Sequence, residues 1–396
     1  MMSTDPIVIT GMARTPMGGF QGELAGQTAS ELGAAAIAAA LDRAGVDGAD
    51  VDEVIMGNVL PAGQGQAPAR QASKGGGIPD ATGCTTINKM CGSGMKAAML
   101  SNDLLLAGVN DIMVAGGMES MTNSPYLLPK ARDGYRLGHA EVKDHMFLDG
   151  LEDAYDKGRL MGTFAEDCAQ HYQFTREAQD EYAIRSLKRA QAAQAEGALT
   201  GEIAAVTVKT RKGEVTIDSD EQPRNANLDK IPQLKPAFRK DGTVTAANSS
   251  SISDGAAALV MMRQSEAEKR GLTPLARILG HTSHAQEPAW FTTAPVHAIT
   301  RLYDKLGWTD ADVDLYEINE AFAVVPMAAM KELSLDAEKV NVNGGACALG
   351  HPIGASGARI MITLINALQT RGLKRGVAGI CIGGGEATAI GLELVN

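Results

Sequence analysis

The sequence is short of cysteine and lacks any long hydrophobic run. Its five cysteines are odd in number and show no C-x-x-C spacing, which argues against a disulfide framework and against a zinc site. The longest apolar stretches, such as residues 322–330, fall far short of the ~18 residues that a membrane span needs. The first residues, Met1–Pro6, have neither a basic patch nor an apolar region, so they do not read as a secretory signal. We therefore expect a cytoplasmic protein that does not bind membranes.

Basic residues are fewer than acidic residues, with 36 Lys and Arg against 47 Asp and Glu. The net charge is −11 at pH 7, which argues against binding to nucleic acids or anionic membranes. The charge is nonetheless uneven, because residues 209–240 carry eight Lys and Arg against five Asp and Glu, whereas residues 141–181 carry four basic and eleven acidic residues. Residues 209–240, called the basic island below, form either a solvent-exposed surface or a binding site for an anionic ligand.

Short apolar runs alternate with alanine-rich stretches along the chain. The hydrophobic pattern predicts strands at residues 6–10, 54–57 and 111–115, and helices at residues 29–44 and 93–107. This alternation predicts an α/β layered fold in which helices cover a mixed or parallel sheet.

A faint internal repeat links the two ends of the chain. Ser93-Gly94 opens a helical stretch that leads to Gly116-Gly117, and Ser356-Gly357 opens a similar stretch that leads to Gly383-Gly384. The offset of 263 residues (356 − 93) is far too long for a solenoid, whose period is about 20–50 residues. We therefore predict two similar α/β halves. Between them, the charged and proline-rich residues 121–249 are predicted to form an inserted, partly irregular domain with a long helix near residues 176–196.

One cysteine stands where a glycine-rich turn meets a helix. In Asn88–Gly94, a strand-like stretch ends at Cys91, two glycines permit a sharp turn, and a helix follows. The dipole and the free N–H groups of a helix N-terminus favour a thiolate, so this position predicts a lowered pKa for Cys91. Two alternatives remain at this point. Cys91 is a buried structural cysteine, or residues 92–97 (Gly-x-Gly-x-x-Ala) bind a dinucleotide with Asp111 on its ribose.

Three further segments place reactive side chains beside glycine-rich turns. They hold His351 in a loop fixed by glycine and proline, Cys381 at a strand end, and Asn319 within residues 317–322. Each alone has a structural explanation, as a capping histidine, a core cysteine or a turn residue. Together, two cysteines, a histidine and an asparagine suit acyl-thioester chemistry, with one thiolate as nucleophile, one thiol as base and donors for the oxyanion.

A metal pair at His281 and His284 is a weaker alternative. The two could share a helix face, but Pro288 and the polar residues around them predict a loop, and Glu287 is the only carboxylate close by. We therefore expect exposed histidines and no metal site.

The four segments, taken together, resemble the catalytic loops of a known family. Cys91–Gly94, Asn319–Phe322, Gly350–Pro352 and Cys381–Gly385, in this order and spacing, are similar to the four catalytic loops of the thiolases. The resemblance runs over essentially the whole chain, and it is strongest to those thiolases that condense two acetyl-CoA or cleave acetoacetyl-CoA. It implies the thiolase fold, with two similar α/β halves in a layered core and an inserted loop domain.

The resemblance also implies how the chain is divided. Residues 1–121 with 250–272 would form the N-terminal half, residues 273–396 the C-terminal half, and residues 122–249 a loop domain for CoA binding and oligomerisation. Family members are commonly dimers or tetramers, so a homo-oligomer is expected.

The implied substrates are acetyl-CoA and acetoacetyl-CoA or another 3-ketoacyl-CoA. Arg224 would lie at the nucleotide end of CoA, Ser250 would hydrogen-bond the pantetheine, and the acyl pocket would be lined by Met161, Ala321 and Phe322. Coenzyme A would be substrate and product rather than cofactor, and no other cofactor is implied.

The implied reaction is that of an acyl-CoA C-acetyltransferase. Two acetyl-CoA would condense reversibly to acetoacetyl-CoA and CoA, or a 3-ketoacyl-CoA would be cleaved, through an acyl group on Cys91. Cys381 would remove the α-proton, and His351 with a water on Asn319 would hold the enolate oxygen. Backbone N–H groups of Cys91 and Gly383 would form a second oxyanion hole.

Two other functions stay open, and the chain departs from the family pattern at several positions, Leu160 and Cys347 among them. A decarboxylating ketoacyl synthase shares the fold and a cysteine nucleophile, but it has no use for a second catalytic thiol such as Cys381. A non-catalytic CoA-binding protein is the alternative from a different class. Leu160 stands where many acetoacetyl-specific thiolases have His, and Cys347 stands at a position that is usually aliphatic.

Overall fold

The computed structural model of the chain describes residues 5–211 and 213–395. Its strands are β1 (Ile7–Arg14), β2 (Gly18–Gly19), β3 (Glu53–Gly57), β4 (Gly83–Ile87), β5 (Ile112–Ser120), β6 (Tyr126–Leu127), β7 (Lys143–Asp144), β8 (Val206–Thr210), β9 (Gly213–Ile217), β10 (Ser253–Arg263), β11 (Ala276–Ala285), β12 (Leu315–Ile318), β13 (Arg375–Ile382) and β14 (Glu386–Leu394). Its α-helices are α1 (Ala29–Ala44), α2 (Pro68–Gly75), α3 (Ser93–Leu106), α4 (Met161–Tyr172), α5 (Arg176–Ala195), α6 (Glu221–Asn225), α7 (Gln264–Lys269), α8 (Ala294–Leu306), α9 (Val324–Leu333), α10 (Ala346–Leu349) and α11 (Ser356–Arg371).

The strands and helices predicted above are all present, and α1 shows why local sequence sufficed. Thr28 Oγ1 accepts a hydrogen bond from the N–H of Glu31 (3.2 Å), and the Glu31 carboxylate accepts one from the N–H of Thr28 (2.8 Å). This capping box satisfies N–H groups that have no partner inside the helix. At the other end, Gly45 takes the left-handed conformation (φ 65°) that ends many helices.

The main sheet is mixed and has the strand order β12-β13-β14-β11-β1-β10-β5-β3-β4, with β2 added on β10. The pairs β3–β4, β3–β5 and β12–β13 are parallel, and the other neighbours along this order are antiparallel. The series β3-β5-β10-β1 and β12-β13-β14-β11 therefore have the same order and the same directions. The duplicated α/β architecture predicted from the sequence is confirmed.

The two halves are joined at the centre of this sheet by a short contact. Strands β1 and β11 pair antiparallel at only two positions, Val8 with Arg277 and Ile9 with Ala276. Helices α3 and α11 occupy equivalent places in the two halves and pack against one another. Residues 356–368 of α11 are all buried, as expected for a helix that is covered on every side.

Glycines set the distance between α3 and α11. A Cβ built on Gly94 would lie 2.8 Å from the backbone nitrogen of Ala358, and one built on Gly357 would lie under 3.0 Å from the backbone nitrogen of Met95. The two backbones are therefore in direct contact. Cys91 precedes α3 and His351 precedes α11, so this crossing brings both residues to the same region.

The middle of the chain has a different character. Among the described residues it contains the strand pairs β6–β7 and β8–β9, the helices α4, α5 and α6, two short 3₁₀ helices and one π-helical turn before the main sheet resumes at β10. The exact domain boundaries given above stay a prediction. Among the described residues, every helix is too short or too polar to cross a membrane.

The loop predicted around His281 and His284 is wrong. Both residues lie in β11, which pairs with β14 from Ala276 to Ala285. The Nε2 atom of His281 is 2.8 Å from Asp103 Oδ1, and that of His284 is 2.9 Å from Gln286 Oε1. Pairing with a distant strand therefore overrode the local polar pattern.

We expect Gly357→Ala to destabilise the protein. Alanine favours a helix over glycine by about 1 kcal/mol, but the new Cβ would collide with the Met95 backbone, and overpacking a core costs about 1–3 kcal/mol. The midpoint of chemical unfolding should fall. The matched control is Gly83→Ala, where the added Cβ would meet only Glu53 Cγ at 3.9 Å. Equal midpoints for the two variants would contradict a backbone contact at Gly357.

Candidate active site

A cavity of about 370 Å³ lies at the N-terminal ends of α3 and α11. Seven of the residues proposed from the sequence line it: Cys91, Met161, Ser250, Ala321, Phe322, His351 and Gly383. Its wall is otherwise largely apolar, with Leu160, Phe238, Phe291 and Ile353 among its residues. The cavity therefore combines a water-poor interior with a thiol, an imidazole and backbone N–H groups.

Cys91 sits at the tip of a sharp turn. Met90 has a left-handed backbone (φ 47°), which is uncommon for a residue other than glycine. The turn is held by Ser93, whose Oγ accepts from the N–H of Lys89 (2.8 Å) and donates to the carbonyl of Met90 (2.6 Å). The Asn88 carboxamide oxygen accepts from the N–H of Met90 (2.9 Å). These bonds fix the sulfur at the start of α3, the arrangement of a nucleophile on a strand-to-helix turn.

Burial has the largest influence on the pKa of Cys91. It raises that pKa to about 11, because a thiolate is poorly solvated there, although the N–H groups of Gly383 and of Cys91 itself act in the opposite direction. The Glu119 carboxylate raises the pKa of Cys91 further. The lowered pKa predicted from the helix N-terminus is therefore wrong, since two N–H groups do not offset the loss of water.

His351 is held in one orientation and is neutral. Its Nδ1 lies 2.6 Å from Ser356 Oγ, and Ser356 Oγ in turn donates to the carbonyl of Pro352 (3.0 Å). The proton of the imidazole is therefore on Nδ1, which leaves Nε2 free to accept. Burial, and to a smaller extent the nearby Arg359 guanidinium, lower the pKa of His351 to about 3.

Asn319 lies behind His351 rather than on the cavity wall. It follows β12 and is fully buried, and its Nδ2 lies 3.4 Å from His351 Nε2. Its Oδ1 has no hydrogen-bond partner among the described residues. A buried polar atom without a partner is uncommon, so this amide oxygen is a candidate for holding a water.

Cys381 is the second thiol of the site. It lies near the end of β13 and is only 1% exposed. Burial raises its pKa well above the ordinary value, and a thiolate at Cys91 would raise it further. The two cysteines are each next to a residue of a close contact, because a Cβ on Gly92 would lie 2.9 Å from Ile382 Cγ1. The strand ends at Ile382, and the Gly384 and Gly385 that follow both have positive φ (91° and 88°). These glycines leave the N–H of Gly383 turned towards the Cys91 sulfur.

Arg224 is not brought to this cavity. It lies on α6, where its guanidinium pairs with Glu23 (2.5 Å) and its Nε donates to the carbonyl of Asp220 (3.2 Å). A second cavity of about 280 Å³ adjoins the first at Ala246 and is lined by Lys230 of the basic island. Lys230 therefore lies beside the site, whereas Arg224 lines neither cavity.

Sequence reasoning assigned no role to two buried carboxylates beside the catalytic loops. Glu320 accepts hydrogen bonds from Tyr182 and Ser186 of α5, from Asn341 and from the N–H of Cys347, so it ties the Asn319 loop to the middle domain. Glu119 is the last but one residue of the buried strand β5. The signal that could have revealed it is an acidic residue directly after the apolar run 112–118.

Comparison with known proteins agrees with this geometry. The family description "Thiolase, N-terminal domain" matches residues 7–265, and "Thiolase, C-terminal domain" matches residues 272–394. The chain is 53% identical to acetyl-CoA acetyltransferase 2 of Arabidopsis thaliana over 98% of this chain and 97% of that protein. It is 49% identical to acetyl-CoA acetyltransferase of Cupriavidus necator over 98% of this chain and 99% of that protein. The crystal structure of the Bacillus anthracis acetyl-CoA acetyltransferase superposes with a TM-score of 0.97 at 42% identity and covers 100% of both chains.

We expect alkylation of Cys91 by iodoacetamide to be slow at pH 7 and to rise about tenfold per pH unit up to pH 9. A thiol whose pKa is about 11 is ionised at pH 7 only to roughly one part in 10⁴, and the thiolate is the reactive form. Peptide mapping by mass spectrometry measures the rate. The fully buried Cys168 is the internal reference and should stay unmodified. A plateau of the Cys91 rate below pH 8 would contradict the raised pKa.

Proposed function

The chain belongs to the thiolase family, and from this premise we propose that it is an acetyl-CoA C-acetyltransferase that carries the acyl group on Cys91. The reaction is the reversible condensation of two acetyl-CoA to acetoacetyl-CoA and CoA, or the thiolysis of a 3-ketoacyl-CoA. One observation carries the assignment of roles. A single apolar cavity is lined by Cys91, His351 and Gly383, and Cys381 is buried two residues before Gly383.

The first half-reaction is acyl transfer to Cys91. The raised pKa of Cys91 and the lowered pKa of His351 make both side chains neutral in the free enzyme. The sulfur therefore loses its proton to His351 Nε2 as it attacks the thioester carbonyl of acetyl-CoA. The C–S bond to CoA then breaks, and the proton on His351 passes to the departing CoA sulfur. Transfer within the step avoids a buried thiolate–imidazolium pair before substrate arrives.

The tetrahedral intermediate of this step needs donors for its oxyanion. The backbone N–H groups of Cys91 and Gly383 act on the Cys91 sulfur and lower its pKa, so they lie beside the thioester that forms there and can donate to its oxyanion. One such donor is typically worth about 3 kcal/mol of transition-state stabilisation.

The second half-reaction makes the carbon–carbon bond. In the acyl-enzyme Cys91 has no proton to lose, so Cys381 passes its own proton to His351 Nε2 without a second thiolate beside it. Cys381 then removes the α-proton of a second acetyl-CoA, while the Nε2–H of His351 and a water on Asn319 hold the enolate oxygen. The carbanion attacks the Cys91 thioester, and acetoacetyl-CoA leaves. The Cys91 sulfur takes the proton from Cys381, and His351 returns its proton to Cys381. Ser356 Oγ accepts from the Nδ1–H of His351, which leaves Nε2 free for these transfers.

Cys381 distinguishes this proposal from a decarboxylating ketoacyl synthase. Loss of carbon dioxide generates the carbanion without a base, so a thiol adjacent to the nucleophile would have no role there. A non-catalytic CoA-binding protein would likewise have no need for two neighbouring thiols, a fixed imidazole and aligned N–H groups.

The substrate would enter along the apolar cavity. Met161, Ala321 and Phe322 surround the acyl group in this proposal, and Ser250 hydrogen-bonds the pantetheine. The nucleotide end lies towards Arg224 and Lys230, whose charges complement its phosphates. Coenzyme A is substrate and product, and the proposed steps need no metal or further cofactor.

We further propose a homo-oligomer, dimer or tetramer, in a reducing compartment such as the cytoplasm. Large apolar side chains are exposed along residues 126–147, including Tyr126 (69%) and Leu137 (98%), and an exposed apolar patch of this kind marks an interaction surface. Free Cys91 and Cys381 are required by the mechanism, and thiols persist in reducing compartments.

Two variants separate the roles of the two thiols. Cys91→Ala should abolish thiolysis of acetoacetyl-CoA and labelling by radioactive acetyl-CoA, because no thioester can form. Cys381→Ala should still be labelled but should lose exchange of the acetyl-CoA α-protons with heavy water by about 10²–10⁴, the scale of one general base. Cys168→Ala is the control and should keep both activities. Loss of labelling and exchange together in folded Cys381→Ala would contradict its role as the base.

Arg224→Ala should raise the KM for acetyl-CoA roughly three- to tenfold, the net scale of one ordinary hydrogen bond, while kcat stays nearly unchanged. With acetyl-pantetheine, which lacks the nucleotide, the variant and the wild type should have equal KM values. Arg270→Ala is the matched control, because Arg270 is also paired to carboxylates but directly follows α7, in another part of the chain. A collapse of kcat at constant KM would contradict a contact to the nucleotide.

A further inference from the structure

The buried carboxylate of Glu119 gathers hydrogen bonds from separate segments of the chain. Its Oε1 accepts from Asn58 Nδ2 (2.7 Å) and from the N–H of Leu60 (3.1 Å). Its Oε2 accepts from the N–H groups of Val59 and Gly354, both at 2.9 Å. Glu119 is completely buried. A carboxylate with this set of donors is fully satisfied, although nothing positively charged pairs with it in these bonds.

One of those donors belongs to the loop that carries His351. Gly354 follows His351 by three residues, and a Cβ at Gly354 would lie 2.6 Å from Glu119 Oε2 and 2.7 Å from the carbonyl of Met118. The loop therefore rests directly against the carboxylate and the end of β5. Ser356 is the other polar anchor of the His351 ring, so Glu119 and Ser356 hold the two sides of this short loop.

The other donors belong to a turn that packs against the nucleophile. Val59 and Leu60 form a small apolar cluster with Ile353, and Cys91 is partly buried against that cluster. Glu119 thus joins the turn 58–60 to the His351 loop, and Cys91 contacts the surface they share.

Glu119 also acts on Cys91 by charge. Its carboxylate raises the pKa of Cys91. The other two titratable side chains of the proposed mechanism, Cys381 and His351, are neutral in the free enzyme. Burial raises the pKa of Glu119 itself to about 7, while its N–H donors act to keep it ionised.

We propose that Glu119 is a positioning residue, which fixes the His351 loop against the turn 58–60 and places a negative charge near the Cys91 sulfur. The proposal rests on the proposed role of Cys91 as nucleophile. A neutral thiol reacts slowly with oxidants and alkylating agents, so this charge protects the nucleophile until the acyl thioester arrives. The contact with Gly354 meanwhile keeps His351 in place to take the proton.

Two substitutions separate position from charge. Glu119→Gln keeps the length of the side chain and removes its charge, whereas Glu119→Asp keeps the charge but is too short to reach all four donors. Both should lower kcat for acetoacetyl-CoA thiolysis roughly tenfold or more, since a small misplacement of a catalytic group is costly. The KM should stay within about twofold, because the CoA contacts are unchanged.

The rate at which iodoacetamide alkylates Cys91 reports the effect of the Glu119 charge. At pH 8.5 Glu119→Gln should react roughly threefold faster than wild type, because one neighbouring negative charge is gone, whereas Glu119→Asp should react like wild type. The control is Glu202→Gln, which removes an equally buried carboxylate bonded to Arg14, Thr363 and Asn366. It should leave the alkylation rate of Cys91 unchanged.

Several outcomes would overturn the proposal. The first is that either Glu119 variant keeps the wild-type kcat. The second is that Cys91 in Glu119→Gln is alkylated at the same rate as in the wild type and in Glu202→Gln. If Glu119→Gln does not fold, Glu119→Asp still tests the position, and rapid deuterium exchange of peptides covering residues 58–60 and 353–355 in the wild type would refute the contact. If the wild-type enzyme itself lacks thiolysis activity, the proposed function fails, whereas the alkylation and exchange measurements still decide the role of Glu119.

Discussion

The site depends on a contact between two helix backbones. Where α3 crosses α11, neither Gly94 nor Gly357 has room for a Cβ, and Gly117 in β5 meets the carbonyl of Gly354 in the same way. Cys91 stands three residues before Gly94, and His351 six before Gly357. The separation of the two backbones therefore sets the separation of sulfur and imidazole. Any larger side chain at the crossing would move both catalytic loops apart, however well each loop were formed by itself.

Burial at this crossing decides the chemistry as well as the geometry. An apolar wall keeps the Cys91 thiol and the His351 imidazole neutral, and the same low polarity strengthens every hydrogen bond that the intermediates receive. Other side chains buried near the site keep their charge, because ion pairs or hydrogen-bond donors stabilise it. Arg359 pairs with Glu317, and the Glu320 carboxylate is surrounded by donors. Removing one partner from such a set would leave an uncompensated buried group, which is strongly destabilising.

Local sequence was sufficient for elements whose signals are local. The capping residue and the terminal glycine of α1 directly flank the helix in the sequence. The Cys91 turn is likewise formed by the neighbouring residues 88–94, so both features could be predicted. The pKa of Cys91 could not, because the groups that bury the sulfur come from distant segments. Glu119 bonds residues about 60 positions before it and 235 positions after it, and no spacing rule connects these. His281 was misread for the same reason, since β14 supplies its strand pairing.

The first strand of the sheet is completed by the last third of the chain. Strand β1 pairs with β10 on one side and meets β11 on the other, so Val8 lies between Met262 and Arg277. During synthesis at about 5–20 residues per second, β1 would wait roughly 15–50 s on the ribosome before its neighbours emerge. All eight of its residues are buried in the native state. A nascent chain of this protein therefore carries an unpaired apolar strand through most of its translation, which makes it a natural client for chaperones that bind extended hydrophobic segments.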